Sequence, residues 1–405
     1  MGAVAICGMG VVCPLGIGHE QLWKNLLAVR HGVKPLSRFS GQDLGVHLAA
    51  EISAFDVNPY LQQRKLAKLL TAPGRYLVAA VHMALAEAGY LDPSTREHLR
   101  CGLIVGAGPT LAEEHLAHCP DKRHPLWYLE TFPNLATSAV SINFNFNGYY
   151  NTIVSACASG TKAIYDAFAL VRAGALDLVV VAATDSKITR EHLAGFSKLG
   201  VLSKSNDPDT ALRPFDRSRD GTVIGEGAGA IVLENYESAK KRNAPIYAIV
   251  AGGGATMDAL SVVEPDNNGI GLLGCMKNAL SDSGISAVSH LGYINAHGTS
   301  TKANDHSESR AIAALLGHDH KSVPVSATKS MTGHLTAASG LVEAIVCART
   351  LSDQLIHPTR NFKRGDDDRD LDYVSGEARA SKIKYALSNS AGFGGFNASI
   401  VLRAA

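Results

Sequence analysis

Asn151-Thr-Ile-Val-Ser-Ala-Cys157-Ala-Ser-Gly-Thr-Lys-Ala-Ile-Tyr-Asp166 sets a short apolar run directly before a helix-periodic segment that continues to about Leu176. Between the two stands a cysteine flanked only by small residues. Ala156, Ala158, Ser159 and Gly160 let other backbone approach its sulfur closely. A turn from strand to helix at this point puts the thiol at a helix N-terminus. There, free N–H groups and the helix dipole favour a thiolate and bind an oxyanion. That is how a nucleophile is built. Taken alone, the same cysteine is an ordinary small buried residue, so the rest of the chain has to decide.

Working outward, continuous apolar runs alternate with helical periodicity. Ala3–Gly8, Cys101–Gly106, Asp177–Ala183 and Gly229–Glu234 read as buried strands; His19–Leu27, Arg75–Ala88 and Ala136–Asn145 read as helices. Strands apolar on both faces mean an α/β architecture with covered sheets. The same order returns further on. Pro245–Ala251 mirrors the opening strand, Gly271–Ser283 the Arg75 helix, and Leu291–Gly298 the strand ending at Gly106. Pro324–His334, with a helix to Leu351, stands where the Cys157 strand and helix stood. Lys384–Asn389 and Asn397–Arg403 match the last two strands of the first half. The correspondence lies in patterning and not in residue identity. It divides the chain into halves at 1–240 and 245–405, joined near Ala239–Ala244, with two sheets packed around shared helices as α-β-α-β-α layers.

Composition narrows the partners. Of 405 residues, 38 are Lys or Arg and 37 are Asp or Glu. The chain therefore has no global field that would draw it to nucleic acid or an anionic membrane, and an acidic partner must be met by a local patch. The seven cysteines are scattered without a CxxC pair, which reads as a reduced, cytoplasmic chain without disulfides or a zinc site. No leader pattern or membrane-length apolar run is present.

Three polar signatures interrupt strand ends in the second half: Asn295-Ala-His297-Gly-Thr299-Ser-Thr301, Lys329-Ser-Met-Thr-Gly333-His334 and Asn389-Ser-Ala-Gly-Phe393-Gly-Gly-Phe396. Open α/β sheets place ligand chemistry in loops beyond strand carboxyl ends. Each signature has a plain alternative: a structural histidine, a solvated lysine, a glycine turn. Together with Cys157 they supply a nucleophile, two imidazoles, an ammonium and a flexible loop.

These strings, with Arg213-Pro-Phe-Asp-Arg-Ser-Arg-Asp-Gly-Thr-Val-Ile-Gly-Glu-Gly-Ala-Gly229, resemble the β-ketoacyl-acyl carrier protein synthases. These are condensing enzymes of the thiolase superfamily, and the elongating type-II class is the most similar. The resemblance covers essentially the whole chain and implies the thiolase-like five-layer fold. Initiating members carry a Cys-His-Asn set, whereas Cys157, His297 and His334 match the elongating pattern. The resemblance implies a decarboxylative Claisen condensation. Cys157 takes an acyl chain from the phosphopantetheine of an acyl carrier protein, with an oxyanion hole at the N–H groups of Cys157 and Phe393. His297 and His334 then hold the malonyl thioester carbonyl as carbon dioxide leaves. Lys329, hydrogen-bonded to Glu343 or close to His334, tunes the site.

By the same resemblance, Thr299 and Thr301 bind the pantetheine arm, and Phe393 gates the acyl pocket. Asn295, Glu308, Glu343, Ser388 and Asn389 form a buried polar cluster that in some relatives holds a cation or water. Here that cluster is taken as structural, with no metal and no cofactor beyond the carried arm. Ala391, Phe396, Pro109, Thr110, Val263 and Glu264 depart from the usual residues around the acyl pocket and arm, which bears on the substrate and not on the chemistry. The carrier protein is acidic; Arg64, Lys65 and Lys68, with Lys122 and Arg123, are the candidate basic patch. The implied partner is a second copy or a ketosynthase-like chain-length subunit, met through the 177–183 strand and the region before Cys157, where Phe144, Phe146, Tyr149 and Tyr150 cluster. Fatty-acid elongation and type-II polyketide or polyene elongation both stay open. The alternatives are a non-catalytic chain-length subunit, which would lack the cysteine, and a coenzyme A thiolase, which would carry a second cysteine near Gly392.

Overall fold

The computed structural model describes residues 2–109, 127–285, 288–318, 320–365 and 371–405. The first half contributes β1 (Val4–Cys13), α1 (His19–Leu27), α2 (Ala72–Ala88), β2 (Cys101–Ala107), α3 (Asn134–Phe144), β3 (Tyr149–Ile153), α4 (Ser159–Arg172), β4 (Leu178–Ser186), α5 (Arg190–Lys198) and β5 (Glu226–Asn235). The second half contributes β6 (Ala248–Met257), α6 (Ile270–Asp282), β7 (Leu291–Asn295), α7 (Lys302–Leu316), β8 (Val325–Ser326), α8 (Ser339–Asp353), β9 (Tyr385–Gly392) and β10 (Phe396–Arg403).

The two halves have the same topology. In the first the strand order is β1-β5-β4-β2-β3; in the second it is β6-β10-β9-β7-β8. The first three strands of each series pair antiparallel and the outer ones parallel. The expected duplication is therefore present strand for strand. The expectation of two separate sheets is corrected: Val4↔Val250, Ala5↔Ile249 and Ile6↔Ala248 join the blades edge to edge into one hydrogen-bonded sheet. The pairing follows from the apolar run at each half's start, which is buried on both faces and so must satisfy its backbone on both edges.

Three apolar cores separate the layers. One lies between α2, α3 and the first blade, one between α6, α7 and the second blade, and the central one surrounds α4 and α8 between the blades. That gives α-β-α-β-α. α4 and α8 meet at their N-terminal turns because each begins with Ala-Ser-Gly: Ala158-Ser159-Gly160 and Ala338-Ser339-Gly340. A Cβ on Gly160 would lie 2.8 Å from the Leu341 nitrogen, and one on Gly340 would lie 2.1 Å from Thr161 Oγ1. Only glycine permits that approach. The halves thus repeat in residue identity here, contrary to the reading from patterning alone.

The strand near 177–183 lies in the interior, between β2 and β5, and offers no free edge. The edge is β3, where Tyr149 is 45% and Tyr150 is 74% exposed, while Phe144 and Phe146 are core. No helix among the described residues is long and apolar enough to cross a membrane.

Candidate active site

Cys157 stands on a tight elbow between β3 and α4. Ala156 is forced to φ 47°, a left-handed conformation that costs a β-carbon residue about 1–2 kcal/mol. Ser159 holds the elbow: its Oγ accepts from the Ser155 N–H (2.8 Å) and donates to the Ala156 carbonyl (2.7 Å). The thiol is partly open to a cavity of about 430 Å³. The expected resting thiolate is not what the surroundings favour. Burial pushes the Cys157 thiol up to about 12, while Lys329 pulls it down and Asp185 and Glu343 push it further up. A helix N-terminus contributes about 0.3–1 kcal/mol, less than a tenfold change in acidity, and cannot offset that burial. Burial therefore favours the neutral thiol at Cys157 over the thiolate.

The two histidines come from loops of the second half. His297 follows β7, and Glu308 of α7 fixes its backbone by accepting the N–H groups of His297 (2.7 Å) and Gly298 (2.8 Å). His334 precedes α8; its N–H donates to the Val223 carbonyl and its carbonyl accepts the Gly225 N–H, both at 2.9 Å. The rings meet edge to face, with centroids 5.5 Å apart. Burial holds both imidazoles well below the usual histidine range, and Lys329 adds to this, so both are neutral at pH 7.

Their tautomers follow from their partners. Lys329 Nζ, 3.2 Å from His297 Nδ1, is a pure donor, so that nitrogen accepts. The Thr336 N–H donates to His334 Nδ1 (3.3 Å), and Ser339 Oγ lies 3.1 Å from it. Each ring therefore carries its proton on Nε2, and two neutral N–H donors are left for the cavity.

Lys329 itself is wholly buried, which removes the solvated-cation alternative. It donates to the His297 carbonyl and to Glu343 Oε1, each at 2.6 Å. The imidazole it hydrogen-bonds is His297, and its charge also acts on His334. Burial pushes both Glu343 and Glu308 up to about 7, against the pull of Lys329. The expected polar cluster is split. Asn295 and Ser388 are register partners on β7 and β9, and Asn295 Oδ1, Ser388 Oγ and Glu343 Oε2 are buried without a hydrogen-bond partner. Asn389, one residue on, points to the opposite face of β9, where it meets Met276 and Ser399. Strand alternation excludes it from the cluster. Among the described residues no group of His, Cys, Asp and Glu side chains is arranged to hold a metal.

Cys157, His297, His334, Thr299, Thr301, Val263, Glu264, Ala391 and Phe393 all line the one cavity. A Cβ on Gly392 would lie 3.0 Å from the Cys157 nitrogen, so the loop that carries Phe393 rests directly against the nucleophile. Thr301 Oγ1 lies 2.9 Å from Thr299 Oγ1 and caps α7. Phe396 does not line the cavity; its ring lies beneath Gly394, at the base of the gate loop. Sequence reasoning missed Phe196, which stacks on Phe393 with centroids 6.4 Å apart, and Lys204 and Lys302, which also line the cavity. The stretch Arg190–Asp220 looks merely loop-rich in sequence, although the lone aromatic in α5 was the available signal. Arg64, Lys65 and Lys68 share an exposed 3₁₀ turn anchored by buried Leu66. Thr110, Lys122 and Arg123 lie outside the described residues.

The β-ketoacyl synthase N-terminal domain model matches residues 1–239, and the C-terminal domain model matches residues 247–363. The chain belongs to the β-ketoacyl synthase family. Among relatives of this synthase, a 3-oxoacyl-[acyl-carrier-protein] synthase 2 of Staphylococcus aureus strain COL is 38% identical over 99% of this chain and 98% of its own length. A protein of the same name from Coxiella burnetii is also 38% identical, over 98% of each chain. Among solved structures, a β-ketoacyl synthase from Burkholderia phymatum superposes with TM-score 0.92 at 32% identity, covering 100% of both chains. The ishigamide ketosynthase/chain length factor superposes with TM-score 0.90 at 30% identity, covering 100% of this synthase and 99% of that chain. A type II polyketide acyl-carrier protein in complex with its ketosynthase, bound to the hexaketide, gives TM-score 0.89 at 29% identity over 100% of both.

Proposed function

We propose that this synthase elongates an acyl chain by decarboxylative condensation with a malonyl group, both delivered on the phosphopantetheine of an acyl carrier protein. One observation carries the reading: two neutral imidazoles, each with its Nε2–H left free by a protein donor on Nδ1, line the cavity that holds Cys157. Cys157 attacks the incoming thioester carbonyl, and the N–H groups of Cys157 and Phe393 hold the oxyanion. The carrier thiol leaves with the proton. Malonyl thioester then binds with its carbonyl oxygen on both Nε2–H groups. As the carboxylate leaves as carbon dioxide, the electron pair moves toward that oxygen. The enolate is stabilised, and its carbon attacks the Cys157 thioester. The C–S bond breaks, 3-oxoacyl-carrier protein is released, and the Cys157 thiolate takes up a proton to return to its starting state. A single donor of this kind contributes roughly 10²–10³ in rate. Neutral donors suit the step, because their hydrogen bonds strengthen as charge develops on the oxygen and they lack the ion-pair attraction that would hold the carboxylate in place.

Thr299 and Thr301 hold the arm, and Lys329 holds His297. The chemistry uses no cofactor of its own. The exposed tyrosines of β3 support a partner of the same fold, either a second copy or a chain-length subunit, pairing along that edge. The exposed Arg64, Lys65 and Lys68 support docking of the acidic carrier. Mass spectrometry of Cys157 after incubation with acyl-carrier proteins, followed by addition of malonyl-carrier protein, tests the reading. Acylation at Cys157 and release of 3-oxoacyl-carrier protein are expected; label at another residue, or condensation by Cys157→Ala, overturns it.

A further inference from the structure

A buried ion pair close to Cys157 has no part in the chemistry above. Asp185, near the end of β4, and Lys187, just past it, are 4% and 7% exposed, and Lys187 Nζ lies 3.1 Å from Asp185 Oδ1. Lys187 also donates to the Pro109 carbonyl. Besides these two, the neutral imidazole of His192 faces the pair; burial and Lys187 hold it down to about 4. Asp185 uses its other oxygen across the domain boundary: Oδ2 accepts the Ala337 N–H at 3.3 Å. Ala337 belongs to the short loop between His334 and α8. In that loop Thr336 is held at φ 49°, its Oγ1 is buried without a partner, and its N–H is the donor that sets the His334 tautomer. A threonine keeps such a conformation only where the surroundings over-determine it. Asp185 thus ties this loop to the first half through a side-chain hydrogen bond, beside the backbone pairing of His334 with Val223 and Gly225.

We propose that Asp185, with Lys187 as its counter-ion, is a positioning residue that pins the His334 loop against the nucleophile's blade, so that His334 Nε2–H shares one oxygen with His297. This rests on the function proposed above. The pair has its buried charge satisfied internally, which is what lets a carboxylate sit beside the thiol without an uncompensated charge. Loss of the pin frees Thr336 to leave the left-handed region, which takes the N–H from His334 Nδ1 and lets the ring turn. The consequence falls on decarboxylation, which needs both imidazoles, and not on acylation, which needs the Cys157 elbow.

The test separates the half-reactions. In Asp185→Asn, carbon dioxide release from malonyl-carrier protein is expected to fall by roughly 10²-fold, as for an ångström-scale misplacement, with acylation of Cys157 by acyl-carrier protein changed far less. Adding Thr336→Gly, which adopts φ 49° without strain, should recover part of the lost rate. Equal losses in both half-reactions, unchanged decarboxylation in Asp185→Asn, or no recovery in the double variant would each overturn the proposal. If the unsubstituted protein releases no carbon dioxide from malonyl-carrier protein, the functional reading falls and takes this inference with it.

Discussion

The ammonium of Lys329 lies 3.2 Å from Nδ1 of His297 and cannot accept a proton from it, so His297 is compelled to be an Nε2–H donor. One buried cation thereby decides the protonation of a ring it never shares with substrate. The same ammonium balances Glu343 at 2.6 Å.

Lys329→Met should therefore slow malonyl decarboxylation by about 10²-fold, the worth of one oriented donor. It should also destabilise the fold, by up to about 3–5 kcal/mol for a broken buried pair. Because Glu343 is already pushed up to about 7, it can take a proton, and the loss should lie at the lower end. Lys329→Met/Glu343→Leu should recover stability in denaturant titration without recovering carbon dioxide release.

Cys157→Ala should abolish condensation and leave malonyl decarboxylation measurable, because the two imidazoles stay in place. Mass spectrometry of the carrier protein and carbon dioxide release, measured side by side, check this.

The depressed histidines set a sign for pH. In the unfolded chain each imidazole takes a proton near pH 6.5, whereas in the folded protein His297 and His334 resist it. Their contribution is complete above pH 6.5 and is lost as pH falls below it. At pH 5 the deficit is about 2 kcal/mol per imidazole. Thermal unfolding should show that the wild type loses stability between pH 7 and pH 5 faster than His297→Asn/His334→Asn. The acid limb of decarboxylation should lie well below 6.5.

Gly392→Ala should push the gate loop off the nucleophile. Its Cβ would stand 3.0 Å from both the Cys157 nitrogen and the Ser155 carbonyl oxygen, so the backbone at the nucleophile or the loop must shift by a few tenths of an ångström. Acylation of Cys157 should fall by about 10²-fold through the displaced oxyanion donors. Carbon dioxide release should fall much less.

Much of this was legible in the chain because it is local. Continuous apolar runs and helical runs of period 3.6 mark buried strands and their covering helices wherever they occur. The strings around Cys157, His297, Lys329 and His334 name the reacting groups. The matched strand orders of the two halves follow from the repeated pattern. What the pattern left out is equally specific. The seam between Val4–Ile6 and Ala248–Val250 depends on which edges remain free after each blade has formed. The interior place of β4 and the exposed edge at β3 depend on crossovers that no local signal encodes.

The site divides in the same way. By itself the sequence determined which residues carry reactivity, because a thiol, two imidazoles and an ammonium are properties of side chains and their immediate neighbours. Only the tertiary structure decided their states. It placed Lys329 on His297 and not on His334, separated Asn389 from Ser388 by the pleat, and drew Asp185 of one half onto Ala337 of the other. Burial pushes the Cys157 thiol up. Desolvation and through-space hydrogen bonds come from chain segments far apart in sequence. They exist only once the Ala-Ser-Gly turns of α4 and α8 have packed together.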